Sequence, residues 1–490
     1  MRNKSTPLDR VERAIRDPGL FEKLFGKQSG LVKIKRQMLM LIYELFKERY
    51  EGVVDPNRVC IISVPNRVEL FGKHTDYQGG DTFLLTGPKN FFALSAYATD
   101  GISELCNADE RLGSTVLKLR KGNPEVLKMG EGSHYTVTVA KRLLSNLIDA
   151  GLDPIRDVKS VFIGDIPFGG GTSGSSAKLI TDFLIYASVN GLLTSNSFTS
   201  LVLENGKRAG IPHAATQPGG KWYDFLVALS MYLAHFENGL DFGLLRGDRG
   251  VGTFGGSEDH TAILLGEGGT LLHCRFCPTR ILQKVRMPRD LEVVVAYSGR
   301  VADKSKEAKV LYNRLSVNAR SCVDHLNSIN STHYEFLRDF YPDLTFEEKA
   351  EKAYRQLVTV DEELAGRAFQ FFRENALIGR AVEHLKVGEY ASVGELINES
   401  HELSKRCLGN IVEEVDWLHE KANGLDAYGA TGFGAGFGGS CYAMVDRKKS
   451  EEFISRWKDS YLKRYPRYSN VTRFDIYPAS SGAYWETIHG

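Results

Sequence analysis

The stretch that most constrains this chain is GDIPFGGGTSGSSA, residues 164–177. Val161, Phe162 and Ile163 lead into it as the end of an apolar strand. Three consecutive glycines, Gly169, Gly170 and Gly171, are followed by a hydroxyl-rich turn at Ser173, Gly174, Ser175 and Ser176. Beyond the turn, Leu179, Ile180, Phe183, Leu184, Ala187 and Val189 recur at helical spacing. Strand, glycine loop and helix start together form an anion cradle. Glycine lets the backbone approach a phosphate closely, and the free N–H groups of the first helical turn supply donors and partial positive charge. Gly169 and Gly174 have the P-loop spacing, but Ser175 stands where that motif needs lysine, so a P-loop NTPase is rejected.

At 490 residues the chain exceeds one core, and 62 Lys+Arg against 61 Asp+Glu leave a net charge of +1. That balance invites neither nucleic acid nor a membrane surface. Of the seven cysteines only Cys274 and Cys277 lie close together. A lone C-x-x-C without a second pair or clustered histidines reads as two reduced core thiols. The N-terminus, MRNKSTPLDR, is polar, and the longest apolar run, Met38 to Phe46, is broken by Glu44. The expectation is a monomeric cytoplasmic protein with no membrane or nucleic-acid partner.

Two further stretches bear on chemistry. VPNRVELFGKHTDYQGG, residues 64–80, crowds Arg67, Lys73, His74 and Asp76 between a strand at Val59–Val64 and a Gly-Gly turn. Polar loops pinned at strand ends tend to carry binding groups. In GGSEDH, Asp259 sits on a glycine-framed loop, expected just before a strand at Ile263–Leu265, while His260 reads as structural. Phosphoryl transfer to an alcohol needs a carboxylate to take the proton, fixed positive charge near the phosphates, magnesium, and donors along the phosphate path. The periodicity predicts helices at 8–50, 135–152, 304–330, 346–375, 377–388 and 392–420. A last glycine loop, GATGFGAGFGGSCYAMV at 429–445, runs into an apolar strand, and the domain boundary is expected near 280–290.

Together these stretches resemble the GHMP small-molecule kinases, and within them the galactokinase branch. Residues 65–80 resemble that family's sugar signature, P-x-R-V-x-L-x-G-x-H-T-D-Y ending in Gly-Gly. Residues 167–177 resemble its phosphate motif, 429–439 its third motif, and LYNRL at 311–315 its Y-N-x-R-R segment. Stretches around 211–250 and 325–355 depart from it in length. The implied fold is α+β: a two-domain GHMP kinase fold with a ribosomal-protein-like N-terminal domain at 1–285 and an α+β C-terminal domain at 286–490. The implied activity is ATP- and Mg2+-dependent transfer of the γ-phosphate to the anomeric hydroxyl of galactose or a close relative.

Carried over residue by residue, Asp259 falls on the catalytic base and Arg67 on the arginine beside the reacting hydroxyl. His74, Asp76 and Tyr312 fall on sugar ligands, as does position 73, and Gly169 to Ser176 fall on the ATP phosphate loop. Ser175 falls on the magnesium-side serine, and Gly434, Gly436 and Gly438 on the third loop. Glu237-Asn238 and Glu204-Asn205 both imitate the family's Glu-Asn pair; Glu237 is preferred because it needs a shorter insertion before Asp259. Lys73 replaces the family's sugar-contacting glutamate, Glu69 its asparagine, and Thr431 and Phe433 its arginine and threonine. Either Glu69 and Lys73 neutralise each other, or Lys73 enters the sugar pocket and selects a carboxylate. Galacturonate and amino-sugar kinases therefore stand beside galactokinase as alternatives. A catalytically idle sugar sensor is the remaining one, although its usual mark, a damaged phosphate loop, is absent here.

Overall fold

The computed structural model describes residues 7–25, 29–120, 123–211, 220–302 and 307–489. The chain opens with α1 (Pro7–Arg16), α2 (Pro18–Phe25) and α3 (Ser29–Tyr50). Pro7 and Pro18 each start a helix, the position where a missing N–H costs no hydrogen bond. Val11, Ile15, Phe21, Leu39, Ile42 and Phe46 form their apolar face, packed on Ile61, Phe92 and Leu94 of the first sheet.

That sheet and its helices follow in the order β1 (Arg58–Phe71), β2 (Asp81–Tyr97), β3 (Ser103–Asn107), β4 (Ser114–Lys118), β5 (Glu125–Lys128) and α4 (Ser133–Asp149). Next come β6 (Val158–Gly164), α5 (Gly174–Val189), α6 (Asn196–Arg208), α7 (Gly220–Asn238), α8 (Glu258–Leu265), β7 (Thr270–Arg275) and β8 (Arg280–Arg286). Among the described residues, β5-β4-β3-β6-β2-β1 run side by side, and the first four residues of β2 turn off to pair with β7, itself paired with β8. The long β1 is buried almost throughout, and its register against β2 shifts between Pro65 and Arg67 and again between Glu69 and Phe71. Such irregularities bend a strand and re-aim its side chains.

The second sheet is built from β9 (Leu291–Tyr297), and then α9 (Glu307–Asn330), α10 (Phe346–Leu357), α11 (Glu362–Val387), α12 (Tyr390–Leu403) and α13 (Glu413–Asn423) intervene. It is completed by β10 (Gly429–Gly432), β11 (Ser440–Asp446) and, after α14 (Ser450–Arg464), β12 (Arg473–Ile476), in the order β10-β11-β9-β12. The passage from one sheet to the other thus falls between β8 and β9, near residue 286. The last strand, β13 (Tyr484–His489), returns to the first sheet and pairs antiparallel with β1. Among the described residues no helix is long and apolar enough to cross a membrane. Cys274 and Cys277 are free thiols, Cys274 buried in β7.

Three local expectations are corrected. Ile263–Leu265 are not a strand but the end of α8, whose start carries Glu258 and Asp259, favourable charges at a helix N-terminus. The helices expected at 346–375 and 377–388 break instead at 358–361, where Asp361 accepts the Leu364 N–H at 3.0 Å and caps α11, which then runs unbroken to Val387. The helix expected over 392–420 is interrupted by a π-turn at Ser404–Leu408 and by Gly409 in the left-handed region. Within the stretch expected to depart in length at 211–250, residues 212–219 lie outside the described residues, and α7 begins at Gly220.

Lys35 of α3 crosses to the loop after β6, its Nζ 2.9 and 2.7 Å from the two Asp165 oxygens. The lysine is fully buried, and burial lowers its pKa to about 8 despite the partner. Replacing it by methionine should leave Asp165 facing an apolar neighbour. Because Asp165 keeps some solvent contact, we expect a loss of about 3 kcal/mol, the low end for breaking a buried pair. Urea unfolding of Lys35→Met checks this, and a change below about 1 kcal/mol would mean the pair is already screened.

Candidate active site

The two register shifts in β1 aim Arg67 and Glu69 into a cleft between the sheets. The buried Arg67 guanidinium meets two other segments there. It lies 2.6 Å from Asp259 Oδ1 and 3.1 Å from Glu258 Oε1, both in the first turn of α8, and its Nη1 donates to the Gly171 carbonyl at 2.9 Å. Burial alone would lower its pKa, but Asp259, Glu258 and Glu69 raise it overall, so it is a fixed positive charge.

The glycine loop after β6 is held by its carbonyls. Those of Phe168, Gly169, Gly170 and Gly171 accept from Tyr297 Oη, Ala302 N–H, Ser440 Oγ and Arg67 respectively, at 2.6–3.1 Å. This keeps their negative ends engaged with protein rather than on the path of an anion. Ser173 takes a left-handed conformation (φ 60°) at the start of α5. Among the described residues its buried hydroxyl and that of Thr172 have no hydrogen-bond partner. Unpaired buried donors beside a glycine loop and a helix N-terminus suit a nucleotide's phosphates. The third loop crosses close by: a Cβ on Gly434 would lie 2.3 Å from the Gly171 oxygen.

Ser176 Oγ is 2.8 Å from Glu237 Oε2 and 3.2 Å from Asp259 Oδ2. A hydroxyl between two carboxylates is the hard oxygen donor set that suits Mg2+. Ser175, expected on the magnesium side, is instead half-buried and hydrogen-bonded to Tyr135. The reason is helical: one residue rotates the side chain about a hundred degrees around α5. Glu204 is exposed and pairs with Lys207 on α6, away from these groups. The buried His260 has its Nε2 3.4 Å from Glu237, and burial lowers its pKa.

His74, Asp76 and Tyr312 line the same pocket as Arg67, Glu69, Glu237, Glu258 and Asp259. His74, in the left-handed region (φ 58°), has Nδ1 3.1 Å from Tyr77 Oη and its ring 5.4 Å from that of Tyr312. Asp76 accepts the Tyr77 and Glu258 N–H groups at 2.9 and 3.3 Å, and burial pushes it up to about 6. Burial likewise pushes Glu69 up to about 7, offset in part by Arg67 and by the Gly434 N–H at 2.7 Å. Glu258 is raised well above the usual range by burial and by Glu69 and Asp76.

Lys73 is a correction. It is buried but does not line the pocket: Nζ donates to Ser400 Oγ at 3.0 Å and Thr431 Oγ1 at 2.5 Å. Ser400 in turn bonds both Glu374 oxygens at 2.9 Å, and Glu374 and, after it, Glu69 favour the charge of Lys73 at longer range, with no direct ion pair to Glu69 among the described residues. The next residue, His74, stands in the left-handed region and lines the pocket, while Lys73 does not. Sequence reasoning also missed Glu258, and Arg367 and Gln370 of α11, which donate to the His74 and Lys73 carbonyls at 2.5 and 2.9 Å. Their signal was present: Arg367, Gln370 and Glu374 recur at helical spacing within an otherwise apolar stretch.

Comparison with known proteins shows what this chain is similar to. Residues 44–91 match the galactokinase galactose-binding signature, and 381–463 match the GHMP kinases C-terminal family. A galactokinase of Pyrococcus furiosus is 25% identical over 421 residues, covering 82% of this chain and 96% of that one. A galacturonokinase of Arabidopsis thaliana is 25% identical over 440 residues, covering 85% and 90%. The crystal structure of Lactococcus lactis galactokinase complexed with galactose superposes with a TM-score of 0.68 at 21% identity, over 90% of this chain and 98% of that one, a likeness of fold.

The raised Glu69 pKa has a measurable sign. The folded state holds that proton up to about pH 7, whereas an unfolded glutamate releases it near the ordinary 4.5. Its contribution to stability is therefore full below the ordinary value and is lost as pH rises through the interval between the two. Melting temperatures of the ligand-free parent should fall by a few degrees relative to Glu69→Gln across that interval. Parallel profiles would show that Glu69 does not hold a proton in the folded state.

Proposed function

We propose that this chain, a member of the galactokinase-like branch of the GHMP kinase superfamily, transfers the γ-phosphate of ATP to the anomeric hydroxyl of galactose or a close relative. One observation carries the reading: Arg67, Asp259, Ser176 and Glu237 form a continuous polar chain against the phosphate loop. Asp259, at the start of a rigid helix, accepts the proton of the sugar hydroxyl as its oxygen bonds to the γ-phosphorus. The bond from that phosphorus to the β–γ bridging oxygen breaks, and ADP leaves. Arg67 fixes the Asp259 carboxylate and offsets negative charge at the reacting centre. The glycine loop and the first turn of α5 bind the phosphates, while His74, Asp76 and Tyr312 orient the sugar. Ser176 and Glu237 would hold Mg2+, which when bound neutralises charge on the phosphates.

Asp259→Asn should keep sugar binding within about tenfold of the parent and lower turnover by at least about a hundredfold, as for loss of a positioned base. Near-normal turnover would remove Asp259 from that role. Titration of activity with magnesium separates the metal candidates. Ser176→Ala and Glu237→Ala should shift the requirement upward, while Glu204→Ala should leave it unmoved. A shift in the last variant alone would transfer the metal role to Glu204.

A further inference from the structure

We infer that Arg338 is a positioning residue of the sugar site: it holds the far end of the turn that carries His74 and Asp76, and so sets how tightly the sugar binds. The inference rests on the sugar-kinase reading and adds a determinant outside the pocket. Arg338 lies in the stretch 325–355, where the chain departs in length from the family pattern. Its Nη1 donates to Asp81 Oδ1 at 2.7 Å and to the Gly79 carbonyl at 3.2 Å. The neighbouring Leu337 N–H donates to Gln78 Oε1 at 3.2 Å. A Cβ on Gly79 would lie 3.2 Å from the Arg338 Cβ and 3.4 Å from that of Phe336, so a glycine in the left-handed region (φ 79°) suits this close approach.

These contacts reach the pocket by two routes. Thr75, between the pocket residues His74 and Asp76, donates its hydroxyl to the Asp81 carbonyl at 2.8 Å. Tyr77 packs on the apolar cluster that includes Leu337, Phe340 and Tyr341, and its Oη lies 3.1 Å from His74 Nδ1. The other end of the turn is held separately, because Glu374, Gln370 and Arg367 of α11 engage the Gly72 N–H and the Lys73 and His74 carbonyls. Losing Arg338 therefore leaves His74 and Asp76 firmly tethered at one end only. Asp81 keeps Arg275 Nε at 2.8 Å and His273 Nε2 at 3.1 Å, and its N–H stays on Asn375 Oδ1 at 2.8 Å, so no buried charge is stranded. The turn then keeps its fold but loses part of its order, which the sugar must restore on binding. Among the described residues Arg338 bonds neither the glycine loop after β6 nor Ser176 or Glu237, so the nucleotide side is spared.

Calorimetry with galactose, at saturating Mg2+ and an unreactive ATP analogue, compares the parent with Arg338→Gln, Arg338→Lys and Tyr341→Phe. Arg338→Gln should weaken galactose binding by about three- to tenfold, the scale of reordering one or two side chains, and leave affinity for the analogue within about twofold. In turnover it should raise KM for galactose by a like factor with kcat within about twofold. Arg338→Lys keeps a positive charge beside Asp81 and should fall between parent and Arg338→Gln; it carries the same test if the glutamine variant does not fold. Tyr341→Phe removes a hydroxyl that bonds Gln356 in the same segment, and should leave galactose affinity within about twofold whatever it does to the melting temperature. Hydrogen exchange supplies a readout that needs no ligand: the amides of 75–80 should exchange at least about threefold faster in Arg338→Gln. If the parent binds no galactose, that exchange decides alone. Unchanged galactose affinity or unchanged exchange in Arg338→Gln, equal weakening of galactose and analogue, or an equal loss in Tyr341→Phe overturns the inference. ADP release from ATP and galactose tests the kinase reading on its own. Its absence beside the expected shifts would remove that reading and keep the role of Arg338; turnover with unmoved affinity and exchange would do the reverse.

Discussion

Everything at the centre of this molecule depends on neutralising one buried guanidinium. Arg67 is 4% exposed, and an isolated charge so placed would be far too costly to bury. Its own bulged strand sets its direction, and its partners come from two other segments: α8 supplies Asp259 and Glu258, and the glycine loop after β6 supplies a carbonyl. Satisfying the charge therefore fixes the distance between the glycine loop and the carboxylates. The third glycine loop is locked by the same construction, because the Gly434 N–H bonds Glu69, two residues along from Arg67. With the Gly171 oxygen only 2.3 Å from where a Cβ would stand, and φ at 73°, position 434 admits no larger residue without a backbone shift.

The second half of the chain braces this centre through polar residues on α11. Arg367 and Gln370 hold the backbone of the 73–77 turn, and Glu374 accepts the Gly72 N–H at 2.9 Å. Lys73 joins that bracing rather than the pocket. Its contact with Thr431 couples two positions at which this chain departs from the family pattern, a lysine for a glutamate and a threonine for an arginine. The two departures are spatial neighbours, so the exchange reads as one rearranged contact between β10 and the sugar-signature loop. Glu69, the third departure, remains in the cleft and makes it more acidic.

What was legible in the sequence was whatever local chemistry dictates. The glycines and hydroxyls of 169–176, the strand before them and the helix after them follow from backbone freedom and apolar period alone. Asp259 and Arg67 were legible as types, yet the element beneath Asp259 was not: Ile263–Leu265 is short enough to suit strand or helix, and two acids at its start favour the helix. The Lys73 side chain runs to Ser400 of α12 and Thr431 of β10, more than three hundred residues away, partners that a linear pattern does not display. Ser175 and Ser176 have similar surroundings in sequence, and only the rotation of α5 separates them. Glu258 was hidden by its neighbour, since an acidic pair at a helix start has an ordinary explanation in the dipole.

The cleft is held in a condition that packing alone would not favour. Among the described residues, Thr172, Ser173, Thr253, Glu258 and His260 keep buried polar atoms without a hydrogen-bond partner, and all of them belong to the glycine loop after β6 or line the pocket. Glu69, Asp76 and Glu258 are pushed toward their protonated forms by the same burial. Each such group costs stability in the free protein. They persist because Arg67, the bulged strand and the α11 brace hold the site firmly enough that it cannot relax around them. The donors and acceptors left over are then already in place when a ligand arrives, so binding gains their hydrogen bonds without first having to order them.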